Sequence, residues 1–146
     1  MNEFICRGKE PIDEYFNGGD WVVGYYTCFN GNEHRIYSGY AETDCGDYYP
    51  DWYNVVPETV GRWTTLRDKY GERIFVGDII KGKVWHSGNL VEPDVVKIVS
   101  AKNNCEMMAY CIDFSTKRAW YSALDLFKEM EVIGNIYDNP ELLHKN

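Results

Sequence analysis

Val60-Gly-Arg-Trp-Thr-Thr-Leu66, then Asp68-Lys69-Tyr70-Gly71, Arg73-Ile74-Phe75-Val76, Gly77-Asp78 and Ile79-Ile80-Lys81-Gly82-Lys83-Val84-Trp85 read as strand, turn, strand, turn, strand. Asp at the first turn position bonds back to the backbone, and Gly at the last accepts a left-handed conformation. After Gly77-Asp78, apolar residues alternate with lysines at the period of two that one buried sheet face requires. A Gly-Asp turn feeding such a strand is a common opening for an SH3-like barrel.

The same pattern holds upstream. Trp21-Val-Val-Gly-Tyr-Tyr-Thr-Cys-Phe29 is almost entirely β-branched and aromatic, and Asn30-Gly31 after it signals a hairpin returning through His34–Tyr40. Phe4-Ile5-Cys6 is a short apolar run before a turn-rich stretch, 41–51 reads as an acidic loop, and Trp52–Val56 reads as a strand stopped by Pro57. Downstream, His86–Asp94 reads as a loop. Val95–Val99 and Met107–Phe114 are strands, with Asn103-Asn104 suited to a turn between them. Ser122–Met130 is expected to be a short helix, with Ser122 as N-cap and Asp125 in the capping-box position. Glu131–Tyr137 is expected to be a strand, and Asn139-Pro140 to open a short terminal helix. The expected fold is mainly β: an N-terminal β meander over 1–56 and an SH3-like barrel over 57–146, packed as one compact unit, with short helices near the C-terminus.

Composition bounds the function. The 146 residues are 45% hydrophobic and 16% aromatic, enough for a packed core rich in strands. Net charge is −8, which opposes general polyanion binding. One stretch reverses the sign: Arg62, Arg67, Lys69, Arg73, Lys81 and Lys83 stand against Asp68, Glu72 and Asp78. These six bases are the candidate nucleic-acid contacts, weighed against a solvated hairpin face.

Catalytic, cofactor and metal sites are not expected. The five cysteines form no CxxC pair and the three histidines are isolated, so closely spaced zinc ligands are missing. Asp44, Asp47 and Asp51 lie in the acidic loop with no His or Lys to complete a hydrolytic site. No G-x-S-x-G elbow, phosphate loop or dinucleotide fingerprint occurs. Trp63, Trp85, Trp120 and Tyr121 are read as packing before a stacking groove. The first residues lack the apolar core of a signal peptide, so the expected location is cytoplasmic.

Phe4–Lys9, Gly19–Tyr25, Val56–Gly61, Leu66–Ile80 and Glu131–Leu142 together resemble, in order, the YopX family of phage and prophage proteins. The resemblance implies a largely β phage or prophage product with an SH3-like barrel, and brings no established activity and no catalytic residues. Two positions depart from the family's pattern. Thr65 stands where a Gly usually precedes the hairpin Leu, and Val76 where an acidic residue usually precedes Gly-Asp-Ile. The expected function is a non-enzymatic structural or interaction protein that forms homo-oligomers or binds a phage or host protein. The alternatives are a nucleic-acid accessory protein using the basic hairpin, and an acidic DNA mimic that occupies a host protein.

Overall fold

Short β-branched and aromatic runs broken by glycine turns become twelve strands in the computed structural model, which describes residues 5–12, 19–100 and 106–144. The chain divides into two units, residues 1–63 and 64–146, between Trp63 and Thr64, where the sequence reading put the division at 56/57.

Unit 1 is an antiparallel sheet in the order β4-β3-β2-β1-β5, built from β1 (Ile5–Lys9), β2 (Trp21–Phe29), β3 (Glu33–Glu42), β4 (Tyr48–Asn54) and the start of β5 (Gly61–Arg67). The Asn-Gly hairpin forms as expected, with Asn30 at φ 55° and Gly31 at φ 77°, the pair of positive angles a tight type I′ turn needs. The acidic loop is shorter than expected. β3 runs to Glu42 and β4 starts at Tyr48, so only 43–47 turn, closed by the Thr43 N–H donating to the Asp47 carbonyl at 2.8 Å. One face is buried: Cys6 and Ile36 lie on it, and a Cβ on Gly8 would meet Val55 at 3.0 Å and Ile36 at 3.2 Å.

Unit 2 holds the remainder of β5, then β6 (Arg73–Phe75), and a second antiparallel sheet that curls as a half-barrel. Its order is β11-β10-β9-β7-β12, from β7 (Asp78–His86), β9 (Val95–Ser100), β10 (Met107–Asp113), β11 (Arg118–Ala123) and β12 (Phe127–Asn135). A short β8 (Asn89–Val91) pairs with the end of β7 inside the expected loop, through Ser87 at φ 53° and Gly88 at φ 82°. The core is Ile74, Ile80, Val84, Val96, Ile98, Ala109 and Cys111, with Leu66, Phe127, Met130 and Val132 packed against it. The alternation read at Ile80-Lys81-Gly82-Lys83-Val84 holds: the apolar positions are buried and both lysines exposed.

The helix expected at 122–130 does not form. Ser122 is buried opposite Ala109 in the β10–β11 ladder, Leu124–Leu126 makes one 3₁₀ turn, and β12 begins at Phe127. The misleading signal is a bulge. Phe127 opposes Val84, Glu129 opposes Lys83 and Met130 opposes Gly82, so Lys128 is an extra residue. The bulge brings Phe127 and Met130 onto the core at a spacing of three, which imitates a helical face. The terminal helix is likewise a 3₁₀ turn, Pro140–Leu143. The Asn103-Asn104 turn lies outside the described residues.

Candidate interaction surfaces

The six bases of the expected patch lie in different surroundings. Arg62 belongs to unit 1, where it opposes Cys6. Arg67 donates from Nη1 to the Gly71 carbonyl at 2.9 Å, closing its own hairpin. Arg73 is half-buried on β6. The three lysines face carboxylates: Lys81 is directly opposite Glu131 and Lys83 opposite Glu129, while the Lys69 ammonium lies 3.7 Å from Glu131. Antiparallel partners share a face, so these are cross-strand pairs of opposite charge. The Tyr70 phenol and the carboxylates of Glu131 and Glu129 raise the Lys69 ammonium above the ordinary lysine range. The sequence could not show this, because Glu129 and Glu131 lay in what read as a helix followed by a separate strand.

Between these lysines the turn 68–72 is tied to β12. The Asp68 carboxylate accepts the N–H groups of Tyr70 and Glu72, each at 2.9 Å, and of Val132 at 3.1 Å. The Lys69 N–H donates to the Met130 carbonyl at 2.9 Å. Burial alone would raise the Asp68 carboxyl, but three backbone donors and the Lys69 charge outweigh it and hold the group below the usual aspartate range. The outer edge of β12 is therefore occupied at Met130 and Val132.

The other sheet edges differ. β4, at the edge of unit 1, carries Pro50, which has no N–H, and Asp51, whose carboxylate accepts the hydroxyls of Ser38 at 3.4 Å and Tyr53 at 3.3 Å. Proline and charge are the usual guards of an edge. β11 has neither. Its single charge is Arg118 at the start, and among the described residues its outward backbone groups make no hydrogen bond. Tyr121 is 62% exposed and tilts against Tyr110 at 4.9 Å between ring centroids. With Val99, Ser100 and Met108 it lines a depression of about 310 Å³ on the outer face of the sheet.

The other residues singled out in the sequence scatter. Trp120 turns to the opposite face of β11 from Tyr121, stacks on His86 at 4.3 Å and donates from Nε1 to the Ser122 hydroxyl at 3.1 Å. Trp85 is exposed on β7, and Trp63 belongs to unit 1. Asp44 and Asp47 are exposed in the 43–47 turn. Cys6 and Cys111 are buried free thiols, Cys28 and Cys45 exposed ones. Among the described residues, no three His, Cys, Asp or Glu side chains gather as metal ligands, and no helix is long and apolar enough to cross a membrane.

No curated protein and no solved structure matches the chain. The family model described as YopX protein does match, over residues 19–144, which takes in the basic hairpin, the β11 edge and the β7–β12 ladder. That match spans most of the sequence, and the chain belongs to the YopX protein family.

Proposed function

We propose that this chain is a non-enzymatic structural or interaction protein that self-associates through the edge of β11. The observation that carries the reading is the contrast among three edges: β12 is capped at Val132 and Met130 by Asp68 and Lys69, β4 is guarded by Pro50 and Asp51, and β11 is bare among the described residues. A bare edge is a template for another strand. A second copy fits it by charge. Antiparallel pairing of two β11 strands brings Lys117 and Arg118 of each copy towards Asp125 of the other, whereas parallel pairing sets cation beside cation. The apolar depression beside Tyr121 gives the contact side-chain area as well as backbone bonds.

The alternative nucleic-acid reading of Arg62 to Lys83 is less favoured, because Lys69, Lys81 and Lys83 face Glu129 and Glu131. The acidic mimic draws only on the net charge of −8. The strands β7 and β9–β12, opened by the Gly77-Asp78 turn, support reading unit 2 as an SH3-like barrel. The setting we infer from the family is a phage or prophage product in the cytoplasm of a bacterial host, with a phage or host protein as the further class of partner.

Size-exclusion chromatography with light scattering tests the proposal. The full chain should elute as a discrete multiple of 17.0 kDa without nucleic acid. Tyr121→Lys and Ala119→Lys, both at exposed β11 positions, should return it to the monomer mass with an unchanged circular dichroism spectrum. A wild-type chain that is monomeric at every concentration, or oligomers that both variants leave intact, would overturn it.

A further inference from the structure

The buried face of the unit 1 sheet opens to solvent at the β2–β3 hairpin. Tyr26 opposes Ile36, which is fully buried, and Cys28 opposes His34, nearer the turn. His34 is half-buried, and Cys28 is an exposed free thiol. Partners in an antiparallel ladder share a face, with Cβ atoms about 5 Å apart. The register therefore sets a sulfur and an imidazole side by side, close to the Asn30-Gly31 turn.

The imidazole is held in place. His34 Nδ1 lies 2.6 Å from the Tyr26 hydroxyl, and the two rings are within 5° of parallel. Burial first, then the charges of the Cys28 and Cys6 thiolates, push the Tyr26 hydroxyl above the ordinary tyrosine range, so the phenol is neutral at neutral pH. A neutral phenol can accept the Nδ1 proton, which leaves the Nε2 lone pair for another group. Metal-bound histidines use the same arrangement, one nitrogen on the ion and the other donating to a fixed acceptor. Cys6 is buried, whereas Cys28 stands open to an ion from solvent.

Zinc takes four sulfur and imidazole ligands at about 2.3 and 2.0 Å, which sets neighbouring sulfur and nitrogen atoms about 3.5 Å apart. Directly opposed ladder positions can span that gap. Among the described residues no third His, Cys, Asp or Glu joins the pair, so one chain supplies half of a tetrahedral shell. A second copy, brought up about a two-fold axis at this hairpin, offers the same two ligands again. We propose that a zinc ion is bound between two copies of this chain, by Cys28 Sγ and His34 Nε2 of each. Each thiol releases its proton to solvent as its sulfur bonds the ion, and the two thiolates balance the charge of the dication. The hairpin sets the ligand spacing here, which is why the sequence shows no close pair of the CxxC kind. The site is separate from the β11 edge and does not depend on it.

The test is titration of the reduced, metal-free chain with cobalt(II), the spectroscopic stand-in for zinc. A thiolate-to-cobalt charge-transfer band and the intense visible bands of tetrahedral cobalt should appear, saturate at one metal per two chains and vanish on adding zinc. Cys28→Ser and His34→Gln should each abolish the bands, and Cys45→Ser should leave them. Tyr26→Phe, which removes the acceptor behind His34, should weaken binding about tenfold. Zinc should also shield Cys28 from an aromatic disulfide reagent while Cys45 reacts as before. Tyr121→Lys, at the β11 edge, should leave the spectrum unchanged, which separates this site from association there. Absence of the cobalt bands, saturation at one metal per chain, or bands that survive in folded Cys28→Ser or His34→Gln would overturn the proposal.

Discussion

Asp68 and Val132, 64 positions apart, are joined by a 3.1 Å hydrogen bond in which a turn carboxylate takes a backbone N–H from the edge of β12. The same carboxylate holds its own turn through Tyr70 and Glu72, so one side chain both shapes the β5–β6 hairpin and seals a strand edge.

Removing that carboxylate should be costly. Asp68→Ala removes the buried acceptor of three N–H groups at a turn whose residues 69–72 are exposed, and we expect a loss of about 1–3 kcal/mol in urea unfolding. Asp68→Asn keeps one acceptor oxygen and should lose less. The pH dependence follows from the depressed folded value. The contribution is fully present above the unfolded pKa of about 3.9 and is lost as pH falls through the lower folded value. Thermal melts between neutral and acid pH should show wild type losing stability below about pH 4, and Asp68→Asn changing less over that window.

Thr65 sits at φ 71° within β5, a conformation that glycine adopts freely. A left-handed conformation costs an L-residue about 1–2 kcal/mol and is least tolerated by a β-branched one. The side chain is exposed and makes no described contact, so little is lost with it. Thr65→Gly should therefore stabilise the chain by up to about 1 kcal/mol after the entropic cost of glycine. Calorimetry should show a higher Tm for Thr65→Gly and a lower or unchanged one for Thr65→Val.

Gly82 is fixed for the opposite reason. A Cβ there would fall on the Glu129 carbonyl oxygen, in the ladder between β7 and β12. Gly82→Ala must push the two strands apart and should destabilise by at least about 2 kcal/mol. Hydrogen exchange should show the β7 and β12 amides losing protection first.

Glu131 stands between two lysines, opposite Lys81 and 3.7 Å from Lys69. Glu131→Lys replaces two attractions with two repulsions on an exposed face. It should destabilise in low salt, with the gap to wild type closing as salt screens the charges. A gap independent of ionic strength would show that the ladder owes its stability to packing instead.

How much of this could be read from the chain depends on where the partner residues lie. Strands with period-two burial were legible at Ile79–Trp85, and turns were legible where Asn30-Gly31 and Asp68–Gly71 supply their own chemistry. The first part of β12, 127–130, was not, because the bulge at Lys128 shifts its apolar period from two to three, while the part from Glu131 was read as a strand. Nor was the short β8, since Ser87-Gly88 carries only half of the usual turn signature. Surfaces were least legible. The six bases are close in sequence, yet the carboxylates that face three of them come from β12. The pairing of Cys28 with His34 follows only once the register of the β2–β3 hairpin is known.

Thiol reactivity gives a test of the two buried faces. Burial pushes the Cys111 thiol up to about 11, against a smaller lowering by the Ser122 hydroxyl. Burial also raises Cys6, with the nearby Arg62 charge pulling the other way. Only the thiolate attacks, so both should resist an aromatic disulfide reagent at neutral pH, while exposed Cys28 and Cys45 react at once. In a background with Cys105 replaced by serine, the native chain should release the signal of its two exposed thiols rapidly. The other two should appear only with denaturant. If Cys6 becomes reactive before Cys111 as urea rises, the unit 1 sheet opens at lower cost than the unit 2 core. Simultaneous exposure would mean that the two units unfold as one cooperative structure.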